Sequence, residues 1–180
     1  MLGHGQELGV SLTFRTQDKP GGIAQALGLA KAFVGNEKFA VILGDNIFED
    51  NTAGAIRKFA QSKQEAFLFL KSVPDAQRFG VATVEGDQIT QIVEKPKQPQ
   101  SNLAVTGLYL YNGTTVFGVI ATLKPSARNE LEITDVNNHF VKLKSCGFSI
   151  LKGDWSDAGT FESLYRASTV ARRKKQGHRV

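Results

Sequence analysis

The segment Val41-Ile42-Leu43-Gly44-Asp45-Asn46 places a carboxylate directly after a short apolar run. The apolar and partly β-branched residues from Phe39 to Leu43 predict a buried strand of a parallel sheet. Ligands of open α/β sheets bind at the carboxyl ends of the strands, and carboxylates there can hold a divalent metal over a phosphate. Asp45 is therefore a candidate metal ligand. The alternative is an ordinary turn, which Asp and Asn also favour.

A second acidic segment runs from Gly153 to Thr160, just before the last helix that the sequence predicts. It contains Asp154 and Asp157 between glycines. If Asp157 faces Asp45 across a crevice, the pair would complete an oxygen-ligand site for Mg²⁺, which accepts one or two protein carboxylates and takes its other ligands from phosphates and water. The alternative is a capped helix start.

The segment from Gln17 to Ala26 could contact a nucleotide base. Its glycines, Gly21 and Gly22, stand just before a predicted helix and would allow a flat ligand to approach the backbone closely. The free N–H groups of the helix N-terminus add donors. The side chain of Gln17 has both a carbonyl and an amide, so it can pair with the edge of a base. The alternative is a plain Pro-Gly helix start.

The dipeptide Glu94-Lys95 follows a predicted strand and precedes Pro96. Lysine binds phosphate as a point charge, and glutamate can accept hydrogen bonds from sugar hydroxyls. The segments Arg78-Phe79-Gly80-Val81 and Val105-Thr106-Gly107 could form walls of the same pocket. The alternatives are an exposed ion pair for the first segment and ordinary strand edges for the other two.

The elements that must position these residues alternate in type. The patterns predict strands at 10–14, 39–43, 66–70, 80–84, 88–93, 104–111 and 148–151, and helices at 23–34, 51–61, 115–123, 130–142 and 160–174. The βαβαβ order of the first half implies a parallel, doubly wound arrangement, and the Gly86-Asp87 turn predicts a hairpin. We expect one α/β domain over residues 1–180.

Composition narrows the functional classes. Charged residues make up 22% of the chain and the apolar runs are only strand-sized, so we expect a globular protein without a membrane span. The N-terminus lacks the pattern of a secretory signal. The single cysteine, Cys146, cannot form an internal disulfide, which fits a cytoplasmic location. The basic run from Arg172 to Lys175 suggests nucleic-acid binding, but we favour a solvated helix end, where cations suit the dipole.

In order and spacing, these segments resemble the sugar-phosphate nucleotidyltransferases, and most closely the glucose-1-phosphate thymidylyltransferases. The resemblance covers nearly the whole chain and is most specific from Lys95 to Asp135. The matching segments are residues 17–26, 43–48, 78–81, 94–96, 104–109, 123–128, 130–135 and 155–160. The resemblance implies a Rossmann-like, doubly wound mixed sheet of the nucleotide-diphospho-sugar transferase type.

The resemblance also implies a reaction and a set of roles. Glucose 1-phosphate would attack the α-phosphorus of dTTP to give dTDP-glucose and pyrophosphate, with Mg²⁺ as cofactor and UTP as an alternative nucleotide. The catalytic residues would be Asp45, Lys95 and Asp157. The binding roles involve eight residues: Gln17 and Gly22 would bind the base, Asp45 and Asp157 the metal, Gly80, Glu94 and Val105 the sugar, and Lys95 the phosphate of the sugar.

The family normally opens with a Gly-rich loop of the form G-x-G-T-R and a P-K dipeptide, which bind the triphosphate. The G-x-G-T-R loop does not occur in this chain, and its one P-K dipeptide, Pro96-Lys97, follows Glu94-Lys95 and does not stand at the start of the sequence. The difference corresponds to two βαβ-sized pieces, on the order of 60 residues. We therefore expect these 180 residues alone to be inactive or weak and to have an unpaired apolar sheet edge. They would pair with another copy or with an N-terminal partner chain.

Two other functions are weighed against the enzyme. One is a non-catalytic module that binds the sugar phosphate and has lost transfer. The other is a dinucleotide-dependent dehydrogenase, which is disfavoured because no G-x-G-x-x-G follows a first strand.

Overall fold

The computed structural model describes residues 3–177, and the side chains of residues 3–173 among them. The side chains of Lys174, Lys175 and Arg179, which belong to the basic tail, lie outside this range. The strands are β1 (Lys38–Ile42), β2 (Asn46–Phe48), β3 (Ala66–Ser72), β4 (Gly80–Glu85), β5 (Gln88–Glu94), β6 (Leu103–Asn112), β7 (Cys146–Ile150) and β8 (Trp155–Asp157). The helices are α1 (Ile23–Gly28), α2 (Lys31–Val34), α3 (Ala53–Gln61), α4 (Gly113–Thr122), α5 (Ile133–Lys142) and α6 (Phe161–Gly177), with single 3₁₀ turns at Gln6–Leu8 and Ala76–Arg78.

The main sheet is mixed and centres on β6, which is buried along almost its whole length. Its strand order is β5-β4-β6-β3-β7, and β1 also pairs with β6. The β3–β7 pair is parallel, whereas β1, β3 and β4 each run antiparallel to β6. The expected parallel arrangement of the first half is therefore wrong for neighbouring strands. Strands β1 and β3 do run in the same direction, but β6 lies between them.

Strand β1 is an edge strand, although its apolar sequence predicted a buried one. On one face, Phe39 stacks on Phe117 of α4 with ring centroids 5.8 Å apart. On the other face, Ile42 is 60% exposed. Within residues 3–177, β6 is the one strand that pairs with β1. The structure thus has the unpaired, partly apolar sheet edge that the sequence led us to expect.

Other element boundaries also differ from the predictions. Residues 10–14 form no strand, and Val10 and Phe14 are more than half exposed. A β-branched and aromatic pattern favours a strand only where another strand offers it an edge. The helix predicted from residue 23 is divided into α1 and α2. Helix α6 begins as expected, because Thr160 Oγ1 accepts a hydrogen bond from Ser163 N at 3.1 Å and so caps it.

The sheet is covered on both faces. Helices α1, α4 and α5 pack on one face, where buried residues such as Val116, Val136 and Phe140 meet the strands. A smaller cluster around Phe59 of α3 covers part of the other face. This layered arrangement agrees with the expected α/β fold class. Among residues 3–177, no helix is both long enough and apolar enough to cross a membrane.

Candidate active site

A short ribbon, formed by β2 and β8, brings the two predicted acidic segments together. Asn46 lies opposite Asp157 in this antiparallel pair. The backbone N–H of Ala158 donates to the carbonyl of Asp45 at 2.7 Å. The pairing therefore continues to Asp45, just before β2, and to Ala158, just after β8. Sequence patterns do not predict this ribbon, because three-residue strands are too short to show a period of two.

The carboxylates of Asp45 and Asp157 face the same small space. A methyl group built on Gly159 would lie 3.6 Å from Asp157 Oδ2 and 3.9 Å from Asp45 Oδ2. Burial raises the pKa of Asp157 above its ordinary value, the positive charge of Arg78 opposes this, and the negative charge of Asp45 adds to it. Two carboxylates that repel each other in a partly buried position are a site that a cation stabilises.

The donor set fits magnesium. Among the described residues, no group of three or more His, Cys, Asp and Glu side chains is placed to hold a metal. Mg²⁺ is usually bound through one or two carboxylates together with water and substrate phosphates, and Asp45 with Asp157 matches this pattern. Arg78 Nη2 also lies 2.8 Å from Asp157 Oδ2, so a fixed cation already contacts one carboxylate of the pair.

A cavity of about 340 Å³ opens beside this acidic pair. Six of the eight residues to which the sequence analysis assigned roles line it, together with Arg78, Arg128 and Thr134. The six are Asp45, Gly80, Glu94, Lys95, Val105 and Asp157. They come from five separate parts of the chain, and the fold brings them around one space.

One wall of the cavity comes from the centre of the sheet. Val105, Gly107 and Tyr109 alternate along β6, so the same face of that strand points into the cavity. Val105 is buried, which suits an apolar contact with a ligand. The absence of a side chain at Gly107 leaves room for the amide of Asn46.

The opposite wall is polar. Gly80 and Glu94 are paired across β4 and β5. Glu94 Oε2 accepts a hydrogen bond from Thr134 Oγ1 at 2.5 Å, so the glutamate is held in place. A Cβ atom at Gly80 would lie 3.1 Å from Thr134 Oγ1, which makes a side chain there tight. Lys95 follows directly, with its backbone N–H bonded to the Phe79 carbonyl at 3.0 Å.

Arg128 is a site residue to which the sequence analysis gave no role. Its Nη2 lies 3.2 Å from Glu94 Oε1, 3.7 Å from Glu130 Oε2 and 2.6 Å from Glu132 Oε2. Burial opposes ionisation of Glu132, but hydrogen bonds from Arg128 and Ser126 outweigh it and leave the pKa of Glu132 below its ordinary value. The spacing of Arg128 and Glu132 could have indicated the ion pair, but not its contact with Glu94.

Gln17 and Gly22 lie together outside the cavity. Gln17 Nε2 donates to the Gly22 carbonyl at 3.2 Å and also to Gln25 Oε1. Gly22 has a φ of 92° and lies against Leu131, whose carbonyl would be 2.5 Å from a Cβ at this position. Only a glycine fits this backbone. Ile23, the next residue, lines the cavity, so the Gln17–Gly22 segment borders it.

A second cavity, of about 420 Å³, lies behind Arg78, between α6 and residues 73–79. Three arginines line it, and each is already paired with an acidic residue: Arg78 with Asp75 and Asp157, Arg166 with Glu162, and Arg173 with Asp154. Of the eight residues to which the sequence analysis assigned roles, only Asp157 lines this second cavity, so we take the cavity beside Asp45 as the candidate site.

Comparison with known proteins gives a consistent result. Residues 1–174 match the family described as nucleotidyl transferase. The low-salt glycan biosynthesis nucleotidyltransferase of Haloferax volcanii is 37% identical over 175 residues, which span 94% of this chain and 48% of that protein. The glucose-1-phosphate thymidylyltransferase of Neisseria meningitidis is 38% identical over 173 residues, spanning 94% of this chain and 60% of that protein.

Two solved structures share the fold. A candidate glucose-1-phosphate thymidylyltransferase from Bacillus anthracis, in complex with a sucrose, has a TM-score of 0.89 and 54% identity over 95% of this chain and 69% of that one. A UDP-glucose pyrophosphorylase complexed with UDP-glucose has a TM-score of 0.79 and 29% identity over 90% of this chain and 66% of that one.

The chain spans 48% to 60% of the length of these two curated relatives. The family match, the relatives and the shared fold agree with the grouping of acidic and basic residues around one cavity. The chain belongs to the nucleotidyl transferase family.

Proposed function

We propose that the chain supplies the sugar-phosphate and metal side of a nucleotidyl transfer site. The reaction would join glucose 1-phosphate to dTTP and give dTDP-glucose and pyrophosphate. One observation carries this proposal: a single cavity has an acidic pair, Asp45 and Asp157, on one side, and a polar wall with Glu94, Lys95 and Arg128 on the other. Such a cavity suits a sugar phosphate beside a divalent cation.

Positively charged side chains would hold the phosphate of the substrate, and a negatively charged one would hold its sugar. Lys95 and Arg128 are cations that can bind its phosphate, Lys95 as a point charge and Arg128 through a planar fork. Glu94, braced by Thr134 and Arg128, would accept hydrogen bonds from sugar hydroxyls. Gly80 leaves space for the ring and Val105 gives it an apolar contact.

Transfer of this kind depends mostly on positioning and on neutralising charge. The attacking phosphate oxygen is already ionised, so no side chain has to act as a general base. Asp45 and Asp157 would hold Mg²⁺, which supplies neutralisation of the negative charge on the triphosphate. The contribution of these residues is to fix the sugar phosphate and the cation close to each other.

The Gln17–Gly22 segment is the candidate site for the nucleotide base. Gln17 and Gly22 border the cavity and would bind the base, with the Gln17 amide reading the edge that thymine and uracil share. The Neisseria meningitidis relative is a thymidylyltransferase and a solved neighbour holds UDP-glucose. We propose dTTP as the nucleotide, with UTP as an alternative.

The triphosphate side requires residues beyond those described. The chain contains no G-x-G-T-R loop, and loss of even one preorganised anion donor can cost ~10²–10³ in rate. We propose that residues 1–180 transfer nucleotide efficiently only with a polypeptide that carries this loop, and that the free edge of β1 is where its strand pairs.

Pyrophosphate release tests the proposal. The purified chain is incubated with glucose 1-phosphate, dTTP and Mg²⁺, alone and with a polypeptide that carries the loop of a curated relative. We expect release only in the mixture, and its loss in Asp45→Ala but not in Asp87→Ala, a control in the exposed β4–β5 turn. Release by the chain alone would overturn the requirement for the loop. Release that is unaffected by Asp45→Ala would overturn the assigned site.

The second candidate function is a binding module without transfer. The observation that favours it is that the described residues alone offer groups for a sugar phosphate, namely Glu94, Lys95 and Val105, around one cavity. Binding of glucose 1-phosphate without pyrophosphate release, even when the loop is supplied, would support this alternative and contradict the enzyme.

A further inference from the structure

The side chain of Asn46 joins three parts of the candidate site. It is buried, with 8% of its surface exposed. Its Oδ1 accepts hydrogen bonds from the backbone N–H of Gly107 and from Trp155 Nε1, both at 2.8 Å. Its Nδ2 donates to Asp45 Oδ1, also at 2.8 Å.

This arrangement fixes which end of the amide faces Asp45. The Gly107 N–H and the Trp155 indole N–H are donors and cannot accept. The oxygen of the Asn46 amide must therefore point towards them, and the NH₂ group must point towards Asp45. Asp45 Oδ1 is thus held by a donor, while Oδ2 faces Gly159 and the neighbouring Asp157.

The partners of Asn46 belong to rigid elements. Gly107 is in β6 at the centre of the main sheet, and Trp155 is in β8, two residues before Asp157. Asn46 itself lies opposite Asp157 in the β2–β8 register. One amide therefore relates the position of Asp45 to both the sheet and the strand that carries Asp157.

We propose that Asn46 is a positioning residue that holds the Asp45 carboxylate in place for a divalent cation. The proposal rests on the function proposed above and adds a residue that the sequence analysis left without a role. Partners that orient metal ligands typically contribute 10–100-fold to metal affinity. A purely structural role would stabilise the fold without a specific effect on the metal.

The test measures binding of Mn²⁺, used in place of Mg²⁺, by electron paramagnetic resonance. We expect Asn46→Ala to weaken binding about 10–100-fold. Asn46→Ser keeps a small polar group but cannot reach all three partners, so it should also weaken Mn²⁺ binding. It serves as a second variant in case Asn46→Ala does not fold. Ile47→Ala is the matched control in the same strand, and circular dichroism verifies folding.

Trp155 gives an independent readout, because it is the one tryptophan in the chain. Loss of its acceptor in Asn46→Ala should shift its fluorescence even without metal. Folded Asn46 variants that bind Mn²⁺ as tightly as the wild type would overturn the proposal, as would an equal loss in Ile47→Ala. If the wild type and Asp45→Ala fail alike to bind Mn²⁺, the metal site itself is wrong, and the role of Asn46 falls with it.

Discussion

Replacement of Gly107 by alanine tests the packing around the candidate site. A Cβ atom at Gly107 would lie 2.6 Å from both Cγ and Nδ2 of Asn46 and 2.7 Å from Oδ1. These separations are well below van der Waals contact. Gly107 does not have a positive φ, so the substitution acts through this clash and not through backbone strain. The Asn46 amide would have to move.

The expected cost has two parts. Forcing an additional carbon into a well-packed region costs ~1–3 kcal/mol. Displacing the amide leaves the buried N–H of Gly107 without its acceptor, which costs ~1–3 kcal/mol. The two costs are not fully additive, because movement of the Asn46 amide relieves the clash while it breaks the hydrogen bond. We therefore expect Gly107→Ala to lower the free energy of unfolding by about 2–4 kcal/mol. This is a large part of the ~5–15 kcal/mol that is typical of a domain.

Urea unfolding followed by circular dichroism measures this change. Gly118→Ala is the matched control, because Gly118 is exposed in α4 and has no atom within 4 Å of its built Cβ. Alanine is the better helix former by ~0.5–1 kcal/mol, so the control should stabilise the chain. If Gly107→Ala leaves the free energy of unfolding within about 0.5 kcal/mol of the wild type, the inferred contact with Asn46 is wrong.

Three further predictions concern other contacts. Arg128→Ala should weaken glucose 1-phosphate binding, measured by calorimetry, by about 10–100-fold, since a hydrogen bond to a charged group contributes ~1.5–3 kcal/mol; the exposed Arg57→Ala is the control and should bind normally. The lowered pKa of Glu132 stabilises the fold above the unfolded pKa of ~4.3, and this contribution disappears as the pH falls through the native pKa. Glu132→Gln should therefore melt lower than the wild type at pH 7 and approach it in acid; a gap independent of pH would contradict the assignment. Tyr111→Phe removes the 2.6 Å hydrogen bond to buried Asn137 Oδ1 and should cost about 1–3 kcal/mol in thermal unfolding; an unchanged melting temperature would show that Asn137 finds another partner.

Much of the candidate site could be predicted from sequence because its residues occupy strand ends and turns. Polar residues that directly follow apolar runs, such as Asp45 after β1 and Lys95 after β5, mark the ends of strands, where side chains can reach a ligand. The fold class followed from the alternation of strand and helix patterns. These features depend on short stretches of sequence, which local patterns describe well.

The remaining features depend on contacts between distant segments. The β2–β8 ribbon pairs residues more than 100 positions apart, and three-residue strands have no visible period. The contact of Arg128 with Glu94 requires β5 to pack near α5. The antiparallel position of β1 depends on β6, which follows it by about 60 residues. Residues 10–14 carry a strand-like pattern but have no strand beside them in the described chain.

Binding of glucose 1-phosphate by isothermal titration calorimetry tests the central claim most directly, because the cavity is formed entirely by described residues. We predict that the wild-type chain binds glucose 1-phosphate and that Lys95→Ala does not. Lys97 is exposed and lies outside the cavity, so Lys97→Ala should bind as the wild type does. Absence of binding by the folded wild-type chain, or equal binding by Lys95→Ala, would contradict the assignment of this cavity to the sugar phosphate.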